Sequence, residues 1–170
     1  ACASTFTRPI EKRRNGVTAT FVPDNRWARC DIKTVALLPN AMAAQTAAER
    51  DAEEAIFVRD GALTEGSHTN VCAAVGGTMV TAPLSNYILP GITRKVVMEL
   101  CAELGIPVRE FPVLLEEVPT LDELFLIGTT AEVMPITEVD GMAIGKGTPG
   151  PIAQRLGEGF DKLVADAVAV

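Results

Sequence analysis

The sequence predicts one α+β (mixed α/β) domain, and three observations carry that prediction. Short β-type runs alternate with longer runs of helical spacing. Tight-turn dipeptides separate several of the β runs. The composition, 48% hydrophobic and 22% charged, is that of a chain with a packed core. At 170 residues the chain can bury roughly 70% of its unfolded surface.

The elements follow in order. Residues 1–10 read as an extended connection, with Ser4 to Ile10 running through Pro9. Residues 17–22 alternate after Asn15-Gly16 and predict a strand. Pro23-Asp24-Asn25 is a turn, and residues 26–33 are irregular. The Ala-rich stretch 40–51 predicts a helix, and 54–58 a strand ending in the Arg59-Asp60-Gly61 turn. Residues 63–70 read as a polar loop. Residues 71–75 and 78–81 flank Gly76-Gly77 and predict a hairpin. Between 93 and 104, Val96, Val97, Leu100, Cys101 and Leu104 share a helix face, and Gly105 closes it. Residues 106–111, 123–127 and 133–139 predict strands, the last meeting a turn at Asp140-Gly141. Residues 151–167 predict a closing amphipathic helix.

Charge and cysteine usage narrow the function. Fifteen Lys and Arg against 22 Asp and Glu give a net charge of -7, a poor match for nucleic-acid phosphates. No apolar run reaches the ~18 residues that a membrane span requires, and residues 1–5 lack the pattern of a signal peptide. Cys2, Cys30, Cys72 and Cys101 are widely spaced with no CxxC pair. They read as reduced, mostly buried thiols in a cytoplasmic protein. A single histidine, His68, argues against a histidine-based metal site, and no metal is expected.

Four loops concentrate glycine, hydroxyls and single charges. Lys33 lies in apolar sequence, Cys30-Asp31-Ile32 before it and Thr34-Val35-Ala36 after. It reads either as a snorkelling lysine or as a desolvated amine available as nucleophile or base. Glu65 sits among Thr64, Gly66 and Ser67, either in a polar turn or against a cationic nitrogen in a pocket. Lys33 and Glu65 together suit pyridoxal phosphate, which takes a lysine at its aldehyde and an acid at its ring nitrogen. Gly91-Ile92-Thr93 opens a helix, either as an ordinary cap or as an anion site. Gly128-Thr129-Thr130 ends a strand with two hydroxyls and free amides.

These motifs resemble the class IV, fold-type IV pyridoxal-phosphate aminotransferases, and within them most resemble the D-amino-acid (D-alanine) branch. The matching segments are Arg26 to Lys33, Thr64-Glu65-Gly66-Ser67 with Asn70, Ile88-Leu89 with Gly91-Ile92-Thr93-Arg94, and Thr129-Thr130 with Glu132. They stand in the family's order and spacing.

The resemblance implies the larger, C-terminal, cofactor-binding domain of that fold over residues 11–170, a mixed sheet or pseudo-barrel with flanking helices. It implies Lys33 as Schiff-base lysine and proton shuttle, and Glu65 at the pyridine nitrogen. Gly91, Ile92, Thr93 and Thr129 would hold the phosphate, Leu89 would pack on the ring, Arg26 would sit near the ring hydroxyl, and Thr130 would meet substrate.

Leu38 stands where branched-chain L-amino-acid relatives have a tyrosine, which favours the D-amino-acid branch. His68 stands where the family usually has a small residue, and reads as satisfied or solvent-facing. Pro90 replaces a common basic residue on a surface loop. The implied partners are an amino acid, a 2-oxo acid such as 2-oxoglutarate, and a second copy in a homodimer. A smaller N-terminal domain is expected ahead of residues 1–10. Arg13 and Arg14 read as solvated. Other readings are a branched-chain aminotransferase, an aminodeoxychorismate lyase relative, and an inactive fragment.

Overall fold

The computed structural model describes residues 5–168. Residues 1–4 of the expected connection, Cys2 among them, lie outside the described residues. The elements are α1 (Ile10–Asn15), β1 (Val17–Pro23), α2 (Leu38–Glu49), β2 (Glu54–Arg59), β3 (Ala62–Gly66), β4 (Asn70–Val75), β5 (Thr78–Thr81), α3 (Ile92–Glu103) and β6 (Val108–Glu110). After a 3-10 helix at Leu115–Thr120 come β7 (Glu123–Gly128), β8 (Glu132–Val139), β9 (Met142–Ala143) and α4 (Pro151–Val168).

All nine strands form one mixed sheet in the order β3-β2-β1-β8-β7-β4-β5-β6, with β9 on β8. Strand β3 also pairs with β4, so β3, β2, β1, β8, β7 and β4 close on themselves. This is the expected α+β pseudo-barrel with flanking helices. β1 runs parallel to both β2 and β8, while β2–β3, β4–β7 and β7–β8 are antiparallel.

Side-chain alternation sorts the core into layers. Ile56, Leu63, Val71, Ala73, Leu124, Leu126 and Ile136 pack together within the closed sheet. Their strand neighbours Cys72, Ala74, Phe125 and Ile127 pack outward against Val97 and Leu100 of α3 and Ile152 and Leu156 of α4. Val22, Ala55 and Phe57 pack against Ala43 and Ala47 of α2. Strands covered on both faces read as continuous apolar runs, as 124–127 does.

Glu123 accepts from the amides of Ile152 and Ala153 at 2.8 Å each, which caps α4. The three tight turns form as expected, each with positive φ at both central positions: Asp60-Gly61, Gly76-Gly77 and Asp140-Gly141.

Several expectations are corrected. Residues 10–15 form a helix that starts after Pro9 and stops at Gly16, whose φ is 79°. Residues 62–66 are a strand, so Glu65 lies on sheet and not in a turn. The strand expected over 106–111 is only Val108–Glu110. Arg13, expected in solvent, has a side chain only 9% exposed, held by Glu132 and Asp161; Arg14 is exposed.

The three described cysteines are buried and unpaired. Burial pushes Cys72 up to about 12 and Cys101 up to about 11, which keeps both as inert thiols. Among the described residues, no helix is long and apolar enough to cross a membrane.

Candidate active site

A cavity of about 810 Å³ opens at one end of the closed sheet. Arg26, Lys33, Glu65, Leu89, Gly91, Ile92, Thr93 and Thr129 all line it, with Asn70 and Leu38. Thr130 does not. The turn between β7 and β8 places it in a neighbouring cleft with Phe6, Arg8 and Pro9. His68 and Thr69 border both spaces.

Lys33 sits on the irregular run between β1 and α2, and it is exposed. Of the two readings of its apolar neighbours, exposure in this chain matches the snorkelling lysine and not the desolvated amine. Those neighbours are themselves at the surface: Ile32 is 43% exposed, Val35 97% and Leu38 71%. The run is anchored behind the lysine by Cys30 N–H donating to Asn86 O at 2.7 Å, and by Asn86 Nδ2 donating to Ala28 O at 2.7 Å.

Glu65 is buried at the end of β3, where its register partner is Asn70. Its Oε2 accepts from Leu89 N–H at 2.9 Å and from Asn70 Nδ2 at 3.2 Å; Oε1 accepts from Arg26 Nη1. Burial pushes the carboxyl above its usual range, while the Arg26 guanidinium opposes that rise. A carboxylate bonded directly to a guanidinium remains an anion at neutral pH.

Arg26 is fixed by its neighbours. Burial disfavours its charge, but hydrogen bonds from its guanidinium to Asp24 and the Glu65 carboxylate more than offset this and raise its pKa. The guanidinium also lies 4.2 Å over the Phe57 ring.

Asp24, which the sequence placed in a simple turn, is the hub of this group. Its carboxylate is fully buried. It accepts from Arg26 Nε and Nη2 at 2.9 Å each, from Arg59 Nε at 3.2 Å and from Thr64 Oγ1 at 3.1 Å. Burial alone would raise its pKa; the bonds from Arg26 and Arg59 win and hold it at about 2.

A depressed acid stabilises the fold above its unfolded value, and that contribution, about 2 kcal/mol here, disappears as pH falls through about 2. Asp24→Asn should therefore cost about 3 kcal/mol at neutral pH by removing the buried charge that Arg26 and Arg59 share. It should also flatten the loss of stability between about pH 4 and pH 2. Denaturant titrations at both pH values check this, and an unchanged midpoint at pH 7 would contradict it.

Glu54 is a second residue the sequence did not single out. It accepts from Ser67 N–H at 3.1 Å and Thr69 Oγ1 at 2.9 Å, and so holds the 66–69 turn against β2. His68 is 61% exposed with Nδ1 2.9 Å from Ser67 Oγ, which matches the solvent-facing reading. A charged residue opening the apolar run Glu54-Ala55-Ile56-Phe57-Val58 was the available signal.

The cavity suits a phosphorylated ring. Helix α3 points its N-terminus into it with Gly91 at the cap and no side-chain cap, leaving amides for an anion. A Cβ on Gly91 would overlap Asn70 Oδ1, so glycine is required for this close approach. Gly91→Ala should displace Asn70 from Glu65 and cost about 1–3 kcal/mol. A thermal-melt comparison with wild type reads this, and an equal melting temperature would contradict the close approach.

Comparison with known proteins places the fold and the family. Residues 1–139 match the amino-transferase class IV family. The chain is 45% identical over 155 residues to a D-alanine aminotransferase of Bacillus licheniformis, covering 89% of this chain and 55% of that protein. A D-alanine aminotransferase of Staphylococcus haemolyticus is 41% identical, over 96% of this chain and 58% of its own length.

Among solved structures, the branched-chain aminotransferase of Thermoproteus uzoniensis with norvaline has a TM-score of 0.84 at 34% identity, covering 96% of this chain and 55% of that one. The branched-chain amino acid aminotransferase of Thermobaculum terrenum in its PLP holo-form has a TM-score of 0.83 at 29% identity, covering 94% and 54%. The chain spans little more than half the length of these relatives. With its fold and most of its length matched, the chain belongs to the class IV aminotransferase family, whose cofactor is pyridoxal 5'-phosphate.

Proposed function

We propose that the protein transaminates a D-amino acid, D-alanine first among them, with a 2-oxo acid such as 2-oxoglutarate. The observation that carries this reading is one cavity lined by Lys33, buried Glu65, the uncapped start of α3 and Thr129. Pyridoxal phosphate, when bound, supplies an aldehyde that condenses with amines and a ring that takes up the electron pair left by a departing proton.

Lys33 Nζ is the amine that meets the aldehyde and the base that receives the substrate's Cα proton. Glu65 presents a carboxylate to the ring nitrogen and favours its protonated form. The amides of Ile92 and Thr93, with the Thr93 and Thr129 hydroxyls, grip the phosphate beside Gly91. Leu89 supplies an apolar face for the ring, and Arg26 stays near the ring hydroxyl through its bonds to Asp24 and Glu65. Thr130 borders the adjoining cleft and not this cavity, so it would meet only a substrate that extends past the β7–β8 tip.

The choice of D-alanine is supported by the identity of 45% to a D-alanine aminotransferase and by Leu38 at the tyrosine position of the branched-chain branch. The solved branched-chain enzymes, at 34% identity or below among those named above, favour the second reading. We further propose that residues 1–10 connect to a smaller N-terminal domain, and that the whole acts as a cytoplasmic homodimer. The exposed Trp27, Ile32, Leu37 and Leu38 on the cavity lining support a covering domain. A covered mouth excludes water and strengthens the electrostatics within.

The test is turnover of D-alanine and of L-leucine with 2-oxoglutarate by the natural-length protein. Faster reaction of D-alanine is expected; preference for L-leucine would replace the proposal with the branched-chain reading.

A further inference from the structure

The turn from β7 to β8 is tied to the N-terminal segment through one buried carboxylate. Gly128 pairs with Glu132, so Thr129, Thr130 and Ala131 form the tip. Glu132 has φ of 57°, a left-handed conformation that glycine adopts freely and a residue with a side chain resists. Yet a glutamate occupies the position. Its side chain is only 6% exposed.

Arg8 grips this carboxylate with both arms of its fork, Nε to Oε1 at 2.6 Å and Nη2 to Oε2 at 2.9 Å. Arg13 Nη1 donates to Oε2 as well. Both arginines also reach Asp161 on α4, and Arg13 Nη2 donates to Gly157 O at 3.2 Å. The tip separates two spaces: Thr129 borders the cofactor cavity, and Thr130 and Ala131 border the adjoining cleft.

We propose that Glu132 is a positioning residue for the cofactor's phosphate. Its ion pairs to Arg8 and Arg13 hold the turn in its disfavoured conformation, so that Thr129 faces the cavity. This deepens the cofactor reading of the cavity and rests on it. Because both arginines belong to residues 5–15, the seating of that segment and the grip on phosphate are coupled, and loosening either loosens the other.

The experiment titrates pyridoxal phosphate and, separately, unphosphorylated pyridoxal into the natural-length apoprotein. Wild type, Glu132→Gly and Arg8→Gln are compared, with hydrogen exchange at residues 129–131 as a second readout. Glycine tolerates the left-handed backbone, so the variant adds no local strain, while loss of the side chain frees the turn from both arginines. The expected result is about a tenfold weaker hold on pyridoxal phosphate in Glu132→Gly, with pyridoxal affinity changed less than about twofold and faster exchange at the tip. Arg8→Gln should move the same way by less, since Arg13 remains; it alone decides the matter if Glu132→Gly does not fold. Wild type failing to bind pyridoxal phosphate would remove the cofactor reading itself. Wild-type binding with the variants unchanged, or weakened equally for both ligands, would overturn the positioning role.

Discussion

Replacing Lys33 with alanine should abolish transamination while leaving the fold intact. The lysine is exposed and stands on an irregular run, so its removal leaves no cavity and strands no buried partner. Surface changes of this kind move stability by about 0.5 kcal/mol or less. The chemical loss is of another order. The proposed roles of Lys33 are to meet the cofactor aldehyde and to carry the Cα proton, and a positioned base contributes up to about ten-thousand-fold. Turnover by the natural-length Lys33→Ala protein should therefore fall by about that factor, with the melting temperature unchanged. Retention of more than a tenth of wild-type turnover would show that another amine does this work.

Glu65→Gln is expected to have the next largest effect. The amide keeps the size of the side chain and can still accept from Leu89 N–H and Asn70 Nδ2. It loses the negative charge that answers Arg26 and a protonated ring nitrogen. A ring left unprotonated is a weak electron sink, so turnover should drop by roughly two to four orders of magnitude, about 3–5 kcal/mol. Cofactor binding should persist, because the phosphate grip lies on other residues. Stability should fall too, since the Arg26 guanidinium loses one of its two carboxylate partners. Measuring turnover at saturating cofactor separates the two effects, and near wild-type turnover would rule out the ring-nitrogen role.

The sequence made the periodic elements plain and the closing contacts obscure. Helix α3 and the three glycine-type turns carry local signals, spacing in one case and dipeptides in the others, and all form as expected. Strand β3 was missed because Thr64, Glu65 and Gly66 look like a loop. Their burial comes from pairing with β2 and β4, which no local pattern reports. Helix α1 had a legible start at Pro9 and stop at Gly16, but six residues are too few for apolar periodicity to show.

The site was legible where loops carried unusual chemistry: Lys33, Glu65, Gly91 and Thr129 all reach one cavity. Its supports were not. Asp24 reads as a turn residue until Arg26, Arg59 and Thr64 are seen to converge on it. Glu54 reads as a strand end until Ser67 and Thr69 donate to it. Both are buried carboxylates with partners from distant sequence, Arg59 and Thr64 for Asp24 and Ser67 and Thr69 for Glu54, which sequence neighbours cannot reveal. The apolar setting of Lys33 left burial and snorkelling both open. Ile32, Val35 and Leu38 allowed burial, whereas in this chain all three are exposed, Ile32 and Leu38 along the cavity lining.

The most direct measurement is borohydride reduction of the natural-length protein loaded with pyridoxal phosphate, followed by peptide mapping. Reduction makes the link between cofactor and lysine permanent, so the labelled peptide names the lysine without reference to substrate. The expected result is a pyridoxyl mass on the peptide containing Lys33, the one lysine among the described residues that lines the cavity. A label on Lys95, which lies 3.9 Å from Glu99 on the exposed side of α3, or on Lys146, would contradict it.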